Sequence, residues 1–291
     1  MPNPTTQEQS AYSDNKALPA VFRPSSLLSR PSGGPRNRFL FEDGRNQVCL
    51  QRDIPGDLPS GFARGRINRN CEEFWIVISG TYQVAIGTYA PFRATHGDIV
   101  LCPAGIPQLT SALEPSARFV STGCDESTRE ITYETGSDSL PDQETYKNRF
   151  LSENSFLSEL SKRARRHTVI VTDKNRMSII RESLGTTSRP HWHDDFDEWW
   201  YIAQGELSFA VGEKSVKIQA CEGDIVFVSR GFRHSITTAN SDDSLRLPVT
   251  AVRGTHICMD SDDFALSSYI AIVGKLLFYV QQNTQHESER G

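Results

Sequence analysis

Four side chains in the second half of this 291-residue chain have the types and spacing to hold one metal ion. The stretch GTTSRPHWHDDFDEWWYIAQG, from Gly185 to Gly205, carries His191 and His193 with Glu198 five residues further on, and His234 closes the segment GDIVFVSRGFRH. Neutral imidazole suits Fe(II), Mn(II), Ni(II), Cu(II) and Zn(II), and one carboxylate hardens the set toward iron or manganese. We therefore expect one divalent metal per chain, Fe(II) before the others. Four protein donors on an octahedral ion leave two positions open, enough for a substrate together with dioxygen or water.

The elements around these residues must bring them together. In a β-strand, residues i and i+2 face one side, so His191 and His193 can both point into one interior. Glu198 opens EWWYIA, whose alternation carries it inward with Trp200 and Ile202 and turns Trp199 and Tyr201 the other way. His234 arrives on another strand after a turn at Ser229-Arg230-Gly231. An internal repeat extends this reading. EFWIVISG at 73–80 matches EWWYIAQG at 198–205, and GDIVLCPAG at 97–105 matches GDIVFVSRG at 223–231, with offsets of 125 and 126 residues. Two matches in nearly the same register imply two copies of one β domain.

With these residues set out, the chain resembles the cupins. Gly185, His191, His193, Glu198 and Gly205 satisfy the first cupin motif. Gly223, Gly231 and His234 fit the second, with Ser229 in the place of its proline and 17 residues between the motifs. The resemblance covers roughly 40–260 and, with the repeat, implies a bicupin: an all-β chain of two tandem jelly-roll barrels. In the first copy, Arg66 and Asn68 stand at the His positions, Glu73 at the glutamate and Gln108 at the last histidine. Arginine offers no lone pair and stays cationic. This copy is therefore expected to hold no metal and to pair Arg66 with Glu73 inside its barrel.

The expected organisation is a flexible N-terminal arm over 1–37, a first barrel domain over 38–135 and a helical connector over 136–166. A second barrel domain over 167–260 and a C-terminal helix and tail over 261–291 follow. The connector carries Phe150, Leu151, Phe156, Leu157 and Leu160 at roughly helical spacing, and Asp260-Ser261-Asp262-Asp263 suits a helix N-terminus. Composition fits a packed soluble protein: 37% hydrophobic, 23% charged, net charge −5. No basic stripe points to nucleic acid, no apolar run is long enough to span a membrane, and no signal peptide opens the chain. The six scattered cysteines read as reduced thiols of a cytoplasmic protein, with Cys221 and Cys258 in the core. A homodimer is expected, since cupin barrels pair through sheet edges and arms.

Around the metal, Asp195 is a candidate proton carrier, Arg181 and Arg233 are candidate anchors for an anionic substrate, and Trp200 is a candidate cavity wall. Asp194 and Asp197 read as turn residues, and His96, His167, His256 and His286 have no motif around them, though His256, after the last strand, can approach the barrel mouth. The chemistry expected first is an Fe(II) dioxygenase acting on a small aromatic, enolic or polyketide-like molecule. The resemblance supports this, because bicupins include dioxygenases that cleave C–C bonds in flavonols and aromatic acids. The alternative is non-oxidative isomerase, lyase, decarboxylase or hydrolase chemistry with the metal as Lewis acid. A third reading is a binding protein stabilised by its metal.

Overall fold

The computed structural model describes residues 19–24, 37–55, 65–87, 91–123, 129–133, 150–151, 166–240 and 243–258. The elements among them are all β-strands. The first half supplies β1 (Ala20–Phe22), β2 (Asn37–Glu42), β3 (Gln47–Asp53), β4 (Gly65–Asn68), β5 (Glu73–Ser79), β6 (Thr81–Ile86), β7 (Phe92–Thr95), β8 (Ile99–Cys102), β9 (Gln108–Ala112), β10 (Ser116–Thr122) and β11 (Arg129–Tyr133). The second supplies β12 (Phe150–Leu151), β13 (Arg166–Val171), β14 (Asn175–Ser183), β15 (His191–Trp192), β16 (Glu198–Gln204), β17 (Glu206–Val211), β18 (Val216–Cys221), β19 (Ile225–Val228), β20 (His234–Ala239), β21 (Asp243–Ala251) and β22 (Ile257–Cys258).

Each half is a pair of antiparallel sheets. In the first, the sheet β12-β8-β5-β10-β3-β2 faces β11-β4-β9-β6-β7; in the second, β1-β19-β16-β21-β14-β13 faces β18-β17-β20-β15-β22. The repeat is visible in the backbone. The amides of Gly97 and Gly223 donate to the carbonyls of Val77 (2.9 Å) and Ile202 (2.7 Å). The next residue caps the same turn in both copies, Asp98 accepting from the Thr95 amide at 2.8 Å and Asp224 from the Cys221 amide at 2.9 Å. Both glycines sit at positive φ, 85° and 88°, where a side chain is strained.

Three cores result from strict alternation. Trp75 and Val77 of β5 fill the first barrel with Tyr82, Val84 and Val100, and Trp200 and Ile202 of β16 fill the second with Leu207, Phe209 and Val226. The intervening residues Phe74, Ile76, Trp199 and Tyr201 point outward into a third core between the barrels. There Phe74 stacks on Trp199 at 6.0 Å, and Phe119 meets Tyr201 edge-on at 6.0 Å. Strands buried on both faces explain why β5 and β16 read as unbroken apolar runs. At the edge of this core, Asn46 and Asn175 exchange side-chain hydrogen bonds of 2.9 and 2.7 Å, one asparagine from each half.

The barrels also trade edge strands. Ala20–Phe22, ahead of the first barrel, pairs with β19 of the second, and Phe150–Leu151, ahead of the second, pairs with β8 of the first. This corrects the helical reading of Phe150 and Leu151: helical apolar spacing over a few residues does not outweigh an open sheet edge. The rest of the connector, apart from Arg166, and the expected C-terminal helix lie outside the described residues. Two further expectations are corrected. Cys71 is disulfide-bonded rather than reduced. Cys221 and Cys258 are exposed rather than in the core, because each falls on an outward or rim position of a strand. No helix among the described residues is long and apolar enough to cross a membrane.

Candidate metal centre

The four residues come from both sheets of the second barrel. His191 opens β15 and lies directly opposite His234, which opens β20. Glu198 opens β16 on the facing sheet, opposite Val228. The loop between His193 and Glu198 is tied at several points. Asp195 accepts hydrogen bonds from the Thr255 amide (3.0 Å) and hydroxyl (2.6 Å), and Asp197 accepts from the Arg230 amide at 2.7 Å. The Gly231 amide donates to the His193 carbonyl at 2.6 Å, drawing the turn before His234 alongside the loop.

All four side chains are buried, and one donor atom from each lies within 4.8 Å of every other. Glu198 Oε2 stands 2.8 Å from His193 Nε2, 3.2 Å from His234 Nε2 and 3.9 Å from His191 Nε2. The far nitrogen of each ring faces a backbone carbonyl: Nδ1 of His191 to Arg189 at 2.9 Å, of His193 to Thr255 at 2.5 Å, and of His234 to Phe232 at 3.1 Å. A carbonyl only accepts, so each Nδ1 carries a hydrogen and each Nε2 is the atom turned inward, as in metal-ligating histidines whose outer nitrogen is held by a backbone acceptor. His234 Nε2 is buried without a hydrogen bond. Lone pairs and a carboxylate oxygen turned toward one another repel unless a cation or proton lies between them. Donors about 2.1 Å from one ion stand roughly 3 Å apart at right angles, so the spacing fits a metal.

The electrostatics agree. Burial alone would raise the Glu198 carboxyl, but the imidazoles of His193 and His234 outweigh it and hold the group well below the usual carboxylate range. His191 is pushed down to about 4, by burial first and by its neighbour His234 second. Burial opposes protonation of His193 too, yet its bond to Glu198 raises it above the ordinary histidine value. The carboxylate is thus ionised and His191 is a neutral donor at neutral pH.

A cavity of about 320 Å³ opens over His191, His193 and Glu198. Trp200 lines it, as strand parity predicts, and meets His234 edge-on at 5.1 Å. The other candidates fall elsewhere. Arg181 points away from the cavity and lies 3.9 Å from Asp243, while its neighbour Ile180 lines the wall. Adjacent residues of a strand face opposite sides, so the two side chains diverge. Asp195 is exposed and engaged with Thr255, and Arg233 is half-buried; neither lines the cavity.

His256 does reach the barrel mouth, and three arginines join it that the sequence reading did not single out. His256 stacks on His191 at 4.3 Å, Arg166 and Arg189 stand at the cavity wall, and buried Arg246 donates to Glu182 at 2.6 Å. The Arg246–Glu182 pair has a counterpart in the first barrel, Arg118 with Asp53 at 3.6 Å. There the guanidinium lies 3.9 Å from the Trp75 ring and 4.8 Å from that of Tyr82. The repeat carried a signal for both arginines, but only a strand alignment beyond the glycine frame reveals it.

At the matching place in the first barrel, Arg66 forms an ion pair with fully buried Glu73. Trp75 Nε1 donates to the same carboxylate at 2.6 Å and Asn68 Nδ2 at 3.3 Å. A guanidinium stands where the second barrel offers an imidazole lone pair, so this set does not fit a metal.

Residues 182–252 match the family model described as a cupin domain. No curated protein matches the sequence. Among solved structures, the chain is similar to a salicylate 1,2-dioxygenase from Pseudaminobacter salicylatoxidans, with 13% identity over 81% of this chain and 89% of that one and a TM-score of 0.59. A variant of that enzyme in complex with gentisate gives 12% identity, coverage of 83% and 88%, and a TM-score of 0.60. A cupin 2 conserved barrel domain protein from Leptotrichia buccalis gives 9% identity, coverage of 80% and 96%, and a TM-score of 0.59. At such identities the likeness is one of fold.

Proposed function

We propose, for a chain whose second half carries a cupin domain, that this half is a mononuclear metalloenzyme site and that its reaction is an Fe(II)-dependent dioxygenation of a small organic molecule. One observation carries the reading: the inward Nε2 atoms of three buried histidines and one ionised carboxylate converge beside a cavity of about 320 Å³. His191, His193, Glu198 and His234 would hold the ion. Iron(II) bound there supplies a redox-active Lewis acid able to activate an enolate or phenolate and dioxygen side by side. The backbone carbonyls of Arg189, Thr255 and Phe232 fix the tautomers, so the ligand set is organised before the ion arrives. Trp200, Ile180 and Ile236 give the cavity an apolar wall that excludes water, and Arg166, Arg189 and Arg246 favour an anionic substrate group.

The fold likeness to a salicylate dioxygenase supports the oxidative reading without fixing the substrate. His256, an imidazole at the cavity wall, favours a second reading in which the metal is a Lewis acid and His256 moves a proton. Oxygen uptake by the iron-reconstituted protein, assayed with aromatic and enolic acids, separates the two. Uptake stoichiometric with substrate loss is expected; turnover that proceeds equally under anaerobic conditions would select the second reading.

A further inference from the structure

We infer that Arg45, a residue of the first barrel, is a positioning residue for the metal centre of the second; the inference rests on the metal reading above. Arg45 lies in the turn between β2 and β3 and is itself held rigidly. The carboxylate of buried Asp43 accepts from the Arg45 amide and from Arg45 Nη2, each at 2.9 Å, and from the Asn46 amide at 2.7 Å. Asn46 is in turn locked to Asn175 of the other half.

From this anchor the guanidinium crosses between the barrels. Arg45 Nη2 donates to the carbonyl of Asp197 at 2.6 Å, which is the peptide group leading directly into Glu198. The same guanidinium lies 5.2 Å from the centre of the Phe196 ring, and that ring packs on His193 at 4.1 Å. Phe196 has no room to retreat. A Cβ added at Gly254 would fall 2.1 Å from its ring, and Thr255, the next residue, accepts the hydrogen bond of His193 Nδ1. Arg45 therefore bears on two ligands at once, on Glu198 through the backbone and on His193 through Phe196. These are the two ligands that face each other at 2.8 Å.

The contact is one-sided. Lys174 takes the place of Arg45 in the repeat, and its Nζ donates to the Gly123 carbonyl at 3.1 Å. An arginine that reaches the loop before the glutamate accompanies the intact ligand set; the copy with Arg66 and Gln108 receives a lysine directed elsewhere. Simple adhesion between barrels would not require this asymmetry. The first barrel, which lacks ligands of its own, thus contributes to the ligand geometry of its neighbour.

The test is cobalt(II) titration of the full chain, following affinity and the visible d–d spectrum at saturation, in wild type, Arg45→Met, Arg45→Lys and Phe119→Leu. Outer-shell partners of metal ligands are typically worth about 10- to 100-fold in affinity, so Arg45→Met is expected to weaken cobalt binding by at least about tenfold and to shift the spectrum of the loaded site. Arg45→Lys, which keeps one donor for the Asp197 carbonyl, should restore part of both. Phe119→Leu loosens the core between the barrels away from the ligands and should lower the melting temperature without changing the spectrum. If Arg45→Met does not fold, Phe196→Leu tests the His193 branch alone and should shift the spectrum. Arg45→Met with wild-type affinity and spectrum, or changes reproduced by Phe119→Leu, would overturn the inference while leaving the metal reading intact. A wild-type chain that binds no cobalt would overturn the metal reading itself.

Discussion

His191 and His234 lie opposite each other on neighbouring strands, so removing either opens the same side of the donor set. His191→Ala or His234→Ala is expected to lose metal and activity together, and a full equivalent of metal in both variants by elemental analysis would refute the assignment. Glu73→Ala tests the other barrel. It leaves metal stoichiometry unchanged but strands the Arg66 guanidinium, which should lower stability by roughly 3 kcal/mol, the low end for breaking a buried pair because Arg66 is partly exposed. Denaturant unfolding with parallel metal analysis reads both effects. At this scale the ligands were legible because their spacing along the chain reflects their shared face. Arg246 and Glu182 were not, since they meet across strands 64 residues apart, and Arg45 reaches Asp197 across 152.

Strand parity was the most dependable guide at the scale of elements. It placed Trp200 inward and Trp199 and Tyr201 outward, and the structure agrees. Arg181 carried no such assignment, because the apolar run MSIIRESL gives no alternation from which to set its face. The turn glycines carry a separate prediction. A Cβ at Gly223 would have its nearest neighbour, Pro24, at 3.9 Å, so Gly223→Ala meets backbone strain at φ 88° and no clash. A loss of about 1–2 kcal/mol by thermal denaturation is expected, with the metal site retained. A neutral result would mean that the turn can reshape without its glycine.

The molecule as a whole is two barrels fused by a common core. Phe74, Ile76 and Phe119 from one half and Trp199, Tyr201 and Leu247 from the other belong to a single cluster. The two halves are therefore expected to unfold together. Adding metal at about one hundred times its dissociation constant should stabilise that single transition by roughly 2.7 kcal/mol, although only the second barrel is proposed to bind it. Calorimetry that resolves two transitions, with chelator moving only one, would show the barrels to be energetically separate. The repeat revealed two copies, but it could not reveal a shared core, because outward-facing residues do not announce what covers them.

The reciprocal exchange of edge strands bears on how the chain is made. A ribosome releases Ala20–Phe22 long before Ile225–Phe227, the residues with which that strand pairs. The first barrel likewise cannot complete its edge at Ile99 and Val100 until Phe150 and Leu151 have emerged. Each barrel therefore waits on a strand from outside its own stretch of chain, and Ala20–Phe22 finds its partner only after most of both halves has been made.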